Sequence, residues 1–295
     1  MAGVARRTTA VIGLTAAVLA IAACSASVSP EAKGAAAVRM LPQHILRAPK
    51  SLIAAAEPQP DGLMWMLAGS ASTGLFEMNS STGQMKGSFS VSGSARGVAE
   101  SSTGVIGLAL GTPQTGALEL LSARSRKLIT TVPLPAPARQ VVVGSDGQTF
   151  YVLTGTSTAA SVTIVGSSGQ VHATVPMPSD AVSVVPDTRQ ATLYALERTG
   201  LVDQISISTR KVVAKFKVGD AGSSIALSPD DSTLYVLKNA GAASNIAVVS
   251  TDTEAVREVL PAPRNCAEVL VSPGGGQLYE VVGTAGYGNI QVFAI

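Results

Sequence analysis

The chain repeats itself. Its clearest unit is Ser224–Leu237, SIALSPDDSTLYVL, which reads as an apolar run, a tight polar turn and a second apolar run. The residue at the tip of that turn recurs at Asp61, Thr103, Asp146, Asp187, Asp230 and Gly274, at intervals of 42, 43, 41, 43 and 44 residues. A period of this length confines a chain to solenoid, propeller or array architectures, because one unit cannot bury its apolar faces alone. The tips themselves are built to turn. They include Pro60-Asp61-Gly62, Ser145-Asp146-Gly147, Pro229-Asp230-Asp231 and Pro273-Gly274-Gly275. Pro presets φ, Asp bonds back to nearby backbone, and Gly tolerates positive φ.

Each copy continues in the same way. Phe150-Tyr151, Leu193-Tyr194, Leu234-Tyr235 and Leu278-Tyr279 follow their turns, with Met64-Trp65-Met66 in the first copy and Ile106-Gly107-Leu108 in the second. A third apolar run follows, for example Val202–Ile207 or Ile246–Val249, and then a second polar turn. A fourth run closes the unit. In Val212–Val218, Ala214, Phe216 and Val218 alternate with Lys215 and Lys217, the pattern of a half-exposed strand. Four short strands every 40–45 residues predict an all-β, six-bladed β-propeller rather than a seven-bladed one. The sixth copy ends in its third strand at Ile295. An N-terminal strand is therefore expected to complete the last blade, and the run Val38–Leu41 is the segment predicted to supply it.

The pattern Ser228-Pro229-Asp230, three residues, then Leu234-Tyr235-Val236 with a later Thr/Ser-rich turn resembles the YVTN-type propeller repeats of bacterial surface and periplasmic proteins. The resemblance runs over about residues 50–295 and weakens in the second copy, where Gly107-Leu108 stands in place of Tyr-Val. It implies the fold. That family commonly has seven blades and is mixed in function, so the resemblance carries no activity with it.

Residues 1–23 read as a signal peptide: Arg6-Arg7, the uncharged run Thr9–Ala20, and small residues up to Cys24. The end, Ile21-Ala22-Ala23-Cys24, resembles a bacterial lipobox, which implies cleavage before Cys24 and lipidation of its thiol. An ordinary secretion signal, with Cys24 merely near the cut, is the plainer alternative. Residues 24–35 are then a lipidated cysteine and a flexible stalk, and 36–295 the propeller domain. The expected location is outside the cytoplasm, held to the cell membrane by lipid, or to an outer membrane if the host has one.

Composition removes several function classes. With 21 Lys+Arg against 19 Asp+Glu and 4% aromatic residues, there is no basic stripe for nucleic acid. The two histidines, His44 and His172, have no partners at metal-ligand spacing, and Gly274-Gly275-Gly276 lacks the Lys of a phosphate cradle. No cofactor or metal site is expected. Cys266, the second of two cysteines, is read as a packing residue.

One binding site is nominated on geometry. Seven residues before each tip stand Ala54, Arg96, Arg139, Asp180, Ser223 and Ala267, where the link between blades should open near a channel mouth. Arg96, Arg139, Asp180 and Ser223 are the candidates for holding an anionic or polar group. Mutual pairing or bonds to loop carbonyls are the alternative. The expected function is a membrane-tethered binding or scaffold module of the cell envelope, its partner an envelope protein or a small polar ligand. The rival is a propeller enzyme, a lactonase-like hydrolase or a quinone-dependent dehydrogenase, by analogy of fold only.

Overall fold

The computed structural model describes residues 41–295 except 70–72, 92, 157–158 and 241–242. The expected signal peptide, Cys24, the stalk and residues 38–40 lie outside the described residues. Among the described residues, twenty-four strands form six four-stranded antiparallel sheets, the blades of a propeller. Blade 1 holds β2 (Leu52–Ala55), β3 (Leu63–Ala68), β4 (Gly74–Asn79) and β5 (Met85–Ser90); blade 2 holds β6 (Ala95–Glu100), β7 (Val105–Gly111), β8 (Gly116–Ser122) and β9 (Leu128–Leu134). Blade 3 holds β10 (Ala138–Val143), β11 (Thr149–Gly155), β12 (Ala160–Gly166) and β13 (Val171–Met177); blade 4 holds β14 (Ala181–Pro186), β15 (Thr192–Glu197), β16 (Leu201–Ser206) and β17 (Lys211–Lys217). Blade 5 holds β18 (Gly222–Leu227), β19 (Thr233–Ala240), β20 (Ala243–Ser250) and β21 (Val256–Ala262). Blade 6 runs β22 (Cys266–Val271), β23 (Gln277–Gly283), β24 (Gly288–Ala294), and its outer strand is β1 (His44–Ala48).

Closure from the N-terminal side is thus present, but the strand is not the run predicted for it. β1 pairs with β24 from His44↔Val292 to Ala48↔Gly288, several residues later than Val38–Leu41, and Leu41 is exposed outside any strand. Outer strands select for an inward residue between exposed ones. Leu46 meets that need, buried between His44, Ile45 and Arg47 and packed with Ile290 and Val292.

The middle strands are apolar on both faces because each blade is covered on both sides. In β11, Tyr151 and Leu153 pack toward blade 4, whereas Phe150 and Val152 pack toward blade 2. Six apolar clusters of this kind fill the six seams, and each fully buried Leu or Val in them contributes about 1.5–3 kcal/mol. The irregular second copy has a packing explanation. Gly107 takes the place that Trp65, Tyr151, Tyr194, Tyr235 and Tyr279 hold in their own second strands. A Cβ on Gly107 would lie 2.7 Å from the ring of Phe150, the only aromatic residue at its own position among Met64, Ile106, Leu193, Leu234 and Leu278. One blade's missing ring is replaced by its neighbour's.

Candidate functional site

Each innermost strand opens with a β-bulge, and the residue after it is Ala54, Gly97, Gln140, Ser183, Ser224 or Glu268. The free edge of these strands faces the axis, and unpaired edge amides need acceptors. Four of the six residues supply one to the following blade. Gln140 Oε1 accepts from Val184 N (2.7 Å), Ser183 Oγ from Ile225 N (3.2 Å), Ser224 Oγ from Val269 N (3.2 Å), and Glu268 Oε2 from Ala55 N (3.0 Å). Gln140 Nε2 also donates to Ser183 Oγ at 3.0 Å. Gly97 instead lets the backbones meet: a Cβ there would be 3.0 Å from Val141 N. This girdle fixes the width of the channel.

Beyond the girdle the channel widens toward the first turns into a cavity of about 390 Å³. Its walls differ. Blades 6, 1 and 2 contribute Glu268, Glu57 and Glu100; the aliphatic lining comes from blades 3, 4 and 5, with Val142, Val185, Ile225 and Leu227 among others, and also from blade 6, with Val269, Leu270 and Val271. Glu57, two residues past the end of β2, and Glu100, the last residue of β6, each follow an alanine and occupy one repeat position in adjacent blades. Glu57 is exposed to the water of the channel and Glu100 and Glu268 are half-buried, yet the protein mass packed around each carboxyl raises the cost of its charge. Burial pushes Glu57 and Glu268 up to about 7, with Glu57 adding to the effect on Glu268. Glu100 also rises to about 7, through burial first and then nearby Asp61. These side chains exchange protons near neutrality and present negative charge above it. A collar of linked turns rims the mouth: Gln59 Nε2 donates to Glu100 O (3.3 Å), Ser102 N to Gly147 O (2.9 Å), Ser145 Oγ to Thr188 O, and Thr188 N to Asp231 Oδ1 (2.9 Å).

The four residues nominated from sequence stand elsewhere. None of Arg96, Arg139, Asp180 and Ser223 lines this cavity. Arg96 is four residues before Glu100 on β6, about 13 Å toward the other end of the ring at strand spacing. Arg96, Arg139 and Ser223 do share one structural position, the bulge residue, and Ala267 joins them. Asp180 and Ala54 do not share it; Val182 and Ile53 occupy it in their blades. The counting slipped because Pro58 lengthens the first turn region, and because Asp187 sits where the fifth blade has Ser228, not Asp230: Asp187 N bonds Thr192 O as Ser228 N bonds Thr233 O. Arg139 is occupied by carbonyls, donating to Thr156 O (2.9 Å) and Ala181 O (3.3 Å), and Ser223 Oγ accepts from Asn239 Nδ2 (3.0 Å). His44 lies on the closing strand and His172 on β13, both exposed, and Cys266 is buried. Among the described residues no group of three or more His, Cys, Asp or Glu could hold a metal ion. The channel glutamates are thus spread along a wall rather than gathered on a point.

The class these features define is a six-bladed β-propeller with a channel open at the turn end. No family of known sequence pattern matches the chain, and no curated protein matches it. Solved structures do. Kuenenia stuttgartiensis hydrazine synthase is similar over 85% of this chain and 97% of the matched one, with a TM-score of 0.65 and 12% identity. At that identity the likeness shows the fold alone.

Proposed function

We propose that the chain is a lipoprotein of the cell envelope with a YVTN-type propeller, and that its channel binds a small organic cation carrying an apolar flank. The observation that carries this reading is that three glutamates, on blades 6, 1 and 2, face a channel whose remaining lining is rich in aliphatic residues of blades 3 to 6. Spread carboxylates facing apolar side chains complement an amine-bearing molecule better than a point charge, and about 390 Å³ is within the range of small-ligand pockets. The membrane tether is supported by Arg6-Arg7, the run Thr9–Ala20 and Cys24, and two acyl chains there would hold stably where one does not. A scaffold role for the outer surfaces is compatible with this arrangement. The enzyme alternative rests on analogy of fold alone.

The test is calorimetric titration with 2-phenylethylamine against 2-phenylethanol, which share an apolar body and differ in charge. The amine is expected to bind and the alcohol not, with amine affinity rising as pH passes upward through about 7 and Glu57, Glu100 and Glu268 ionise. The double variant Glu57→Gln/Glu268→Gln should lose at least about tenfold in affinity, the order of one lost charge-assisted contact. Equal binding of the two probes, or binding of neither, rules out the proposed ligand class. Palmitate labelling of wild type but not Cys24→Ser tests the anchor separately.

A further inference from the structure

Among the described residues, the seam between blades 5 and 6 contains a buried carboxylate that takes part in no ion pair. Glu280 on β23 is 2% exposed and its Oε2 has no hydrogen-bond partner. Alternation fixes its direction: Leu278 and Val282 pack in the seam with blade 5, whereas Tyr279 and Val281 pack in the seam with blade 1. Glu280 therefore faces blade 5, at a position where other blades have Met66, Leu108, Val152, Ala195 and Val236. Two more oxygens on the same seam lack partners. Asn289 on β24 shares the face of Phe293, and its Oδ1 is buried and unbonded. Its register partner is Val282, which makes it a diagonal neighbour of Glu280. Asn239 reaches across from β19 on the face of Tyr235 and Leu237. Its Nδ2 donates to Cys266 O and Ser223 Oγ, both at 3.0 Å, which leaves its Oδ1 buried and unbonded. Cys266 also pairs with Val282, so both amides abut the residue two beyond Glu280.

Buried acceptors in native proteins are satisfied by a donor, a water or an ion. Among the described residues, the other titratable groups on these two faces are Cys266 of β22, Tyr235 of β19, Glu258 of β21 and Arg47 of β1, the register partner of Asn289, which is exposed at the outer edge of the blade. Arg257, at the outer edge of blade 5, is engaged with Ser250 Oγ at 2.6 Å. From one carboxylate and two amide oxygens, we infer that the seam between blades 5 and 6 is a site for a single alkali-metal cation, held by Glu280, Asn239 and Asn289. Oxygen donors select hard cations, and a monovalent one makes the site neutral, whereas a divalent ion would leave a buried positive charge. Burial pushes the Glu280 carboxyl up to about 8. The cation therefore displaces a proton at neutral pH and binds more tightly above pH 8.

The full-length chain is unfolded thermally at pH 9 in NaCl, KCl or choline chloride at one ionic strength, and sodium-23 NMR linewidths are recorded alongside. Sodium or potassium should raise the unfolding temperature by several degrees relative to choline. Sodium should show protein-dependent broadening that weakens at pH 6.5. Glu280→Gln should abolish both effects, and Asn289→Leu, which keeps the carboxylate, should weaken cation affinity about tenfold. Equal unfolding temperatures of wild type in all three salts, or an undiminished sodium response in Glu280→Gln, overturns the assignment. The channel variants Glu57→Gln/Glu268→Gln should leave the sodium response intact.

Discussion

Lys215 shows how one side chain decides whether a blade tolerates charge inside it. Its Nζ lies 2.7 Å from Asp203 Oδ1 and 3.6 Å from Glu197 Oε1, and both carboxylates are almost wholly buried. Asp203 draws the Lys215 ammonium to a higher pKa, first through the hydrogen bond. Lys215→Ala would strand two carboxylates against blade 3, at a cost of roughly 2–4 kcal/mol once the lysine's partial exposure is allowed for. A matching fall in the urea midpoint at unchanged slope checks it, and Lys215→Arg should recover part of the loss. At this scale the sequence was only partly readable. The alternation of Lys215 and Lys217 with Ala214 and Phe216 marked the outer strand, but nothing local announced that Asp203 faces inward. Glu57 and Glu100 were masked differently. Their shared Ala-Glu before the turn was visible, but the inserted Pro58 puts them out of phase with a ruler laid on the turn tips.

Among elements, the closing strand carries the clearest consequence. β1 covers the edge of β24, and Leu46 is its one buried residue. Leu46→Ala should cost about 2–4 kcal/mol, the range for a large-to-small change in a packed core. Removing residues up to Ala48 should do more than lower the melting temperature. It should expose a full-length strand edge, so that light scattering detects association before thermal unfolding. The need for such a strand was legible because the sixth copy stops at its third run. Its location was not, because Val38–Leu41 is the more apolar candidate while the fit depends on a single inward Leu46 among outward-facing neighbours that include Ile45. Gly107 and Phe150 are the reverse case: an apparent flaw in one repeat is resolved by a substitution in the next, which only the packing of two blades reveals.

The whole ring responds to pH through its inner carboxyls. Burial holds Glu57, Glu100 and Glu268 near 7 and Glu280 near 8, above the ordinary glutamate value of 4.5. The folded state therefore binds these protons more tightly than the unfolded state. The stability they contribute is complete below about 4.5 and is lost as pH rises through 7 to 8. With choline as the bulk cation, wild type should melt higher at pH 5.5 than at pH 8.5. Glu57→Gln/Glu100→Gln/Glu268→Gln should flatten most of that slope; an unchanged slope would locate the linkage elsewhere.

The direction of β1 has a further implication. It runs antiparallel to β24 and starts at the end where Ile295 N bonds Gly276 O in the first turn of blade 6, the end that also carries the cavity opening. Leu41 therefore stands on the same face of the ring as the acidic opening, but at the outer edge of blade 6, a blade's width from the axis.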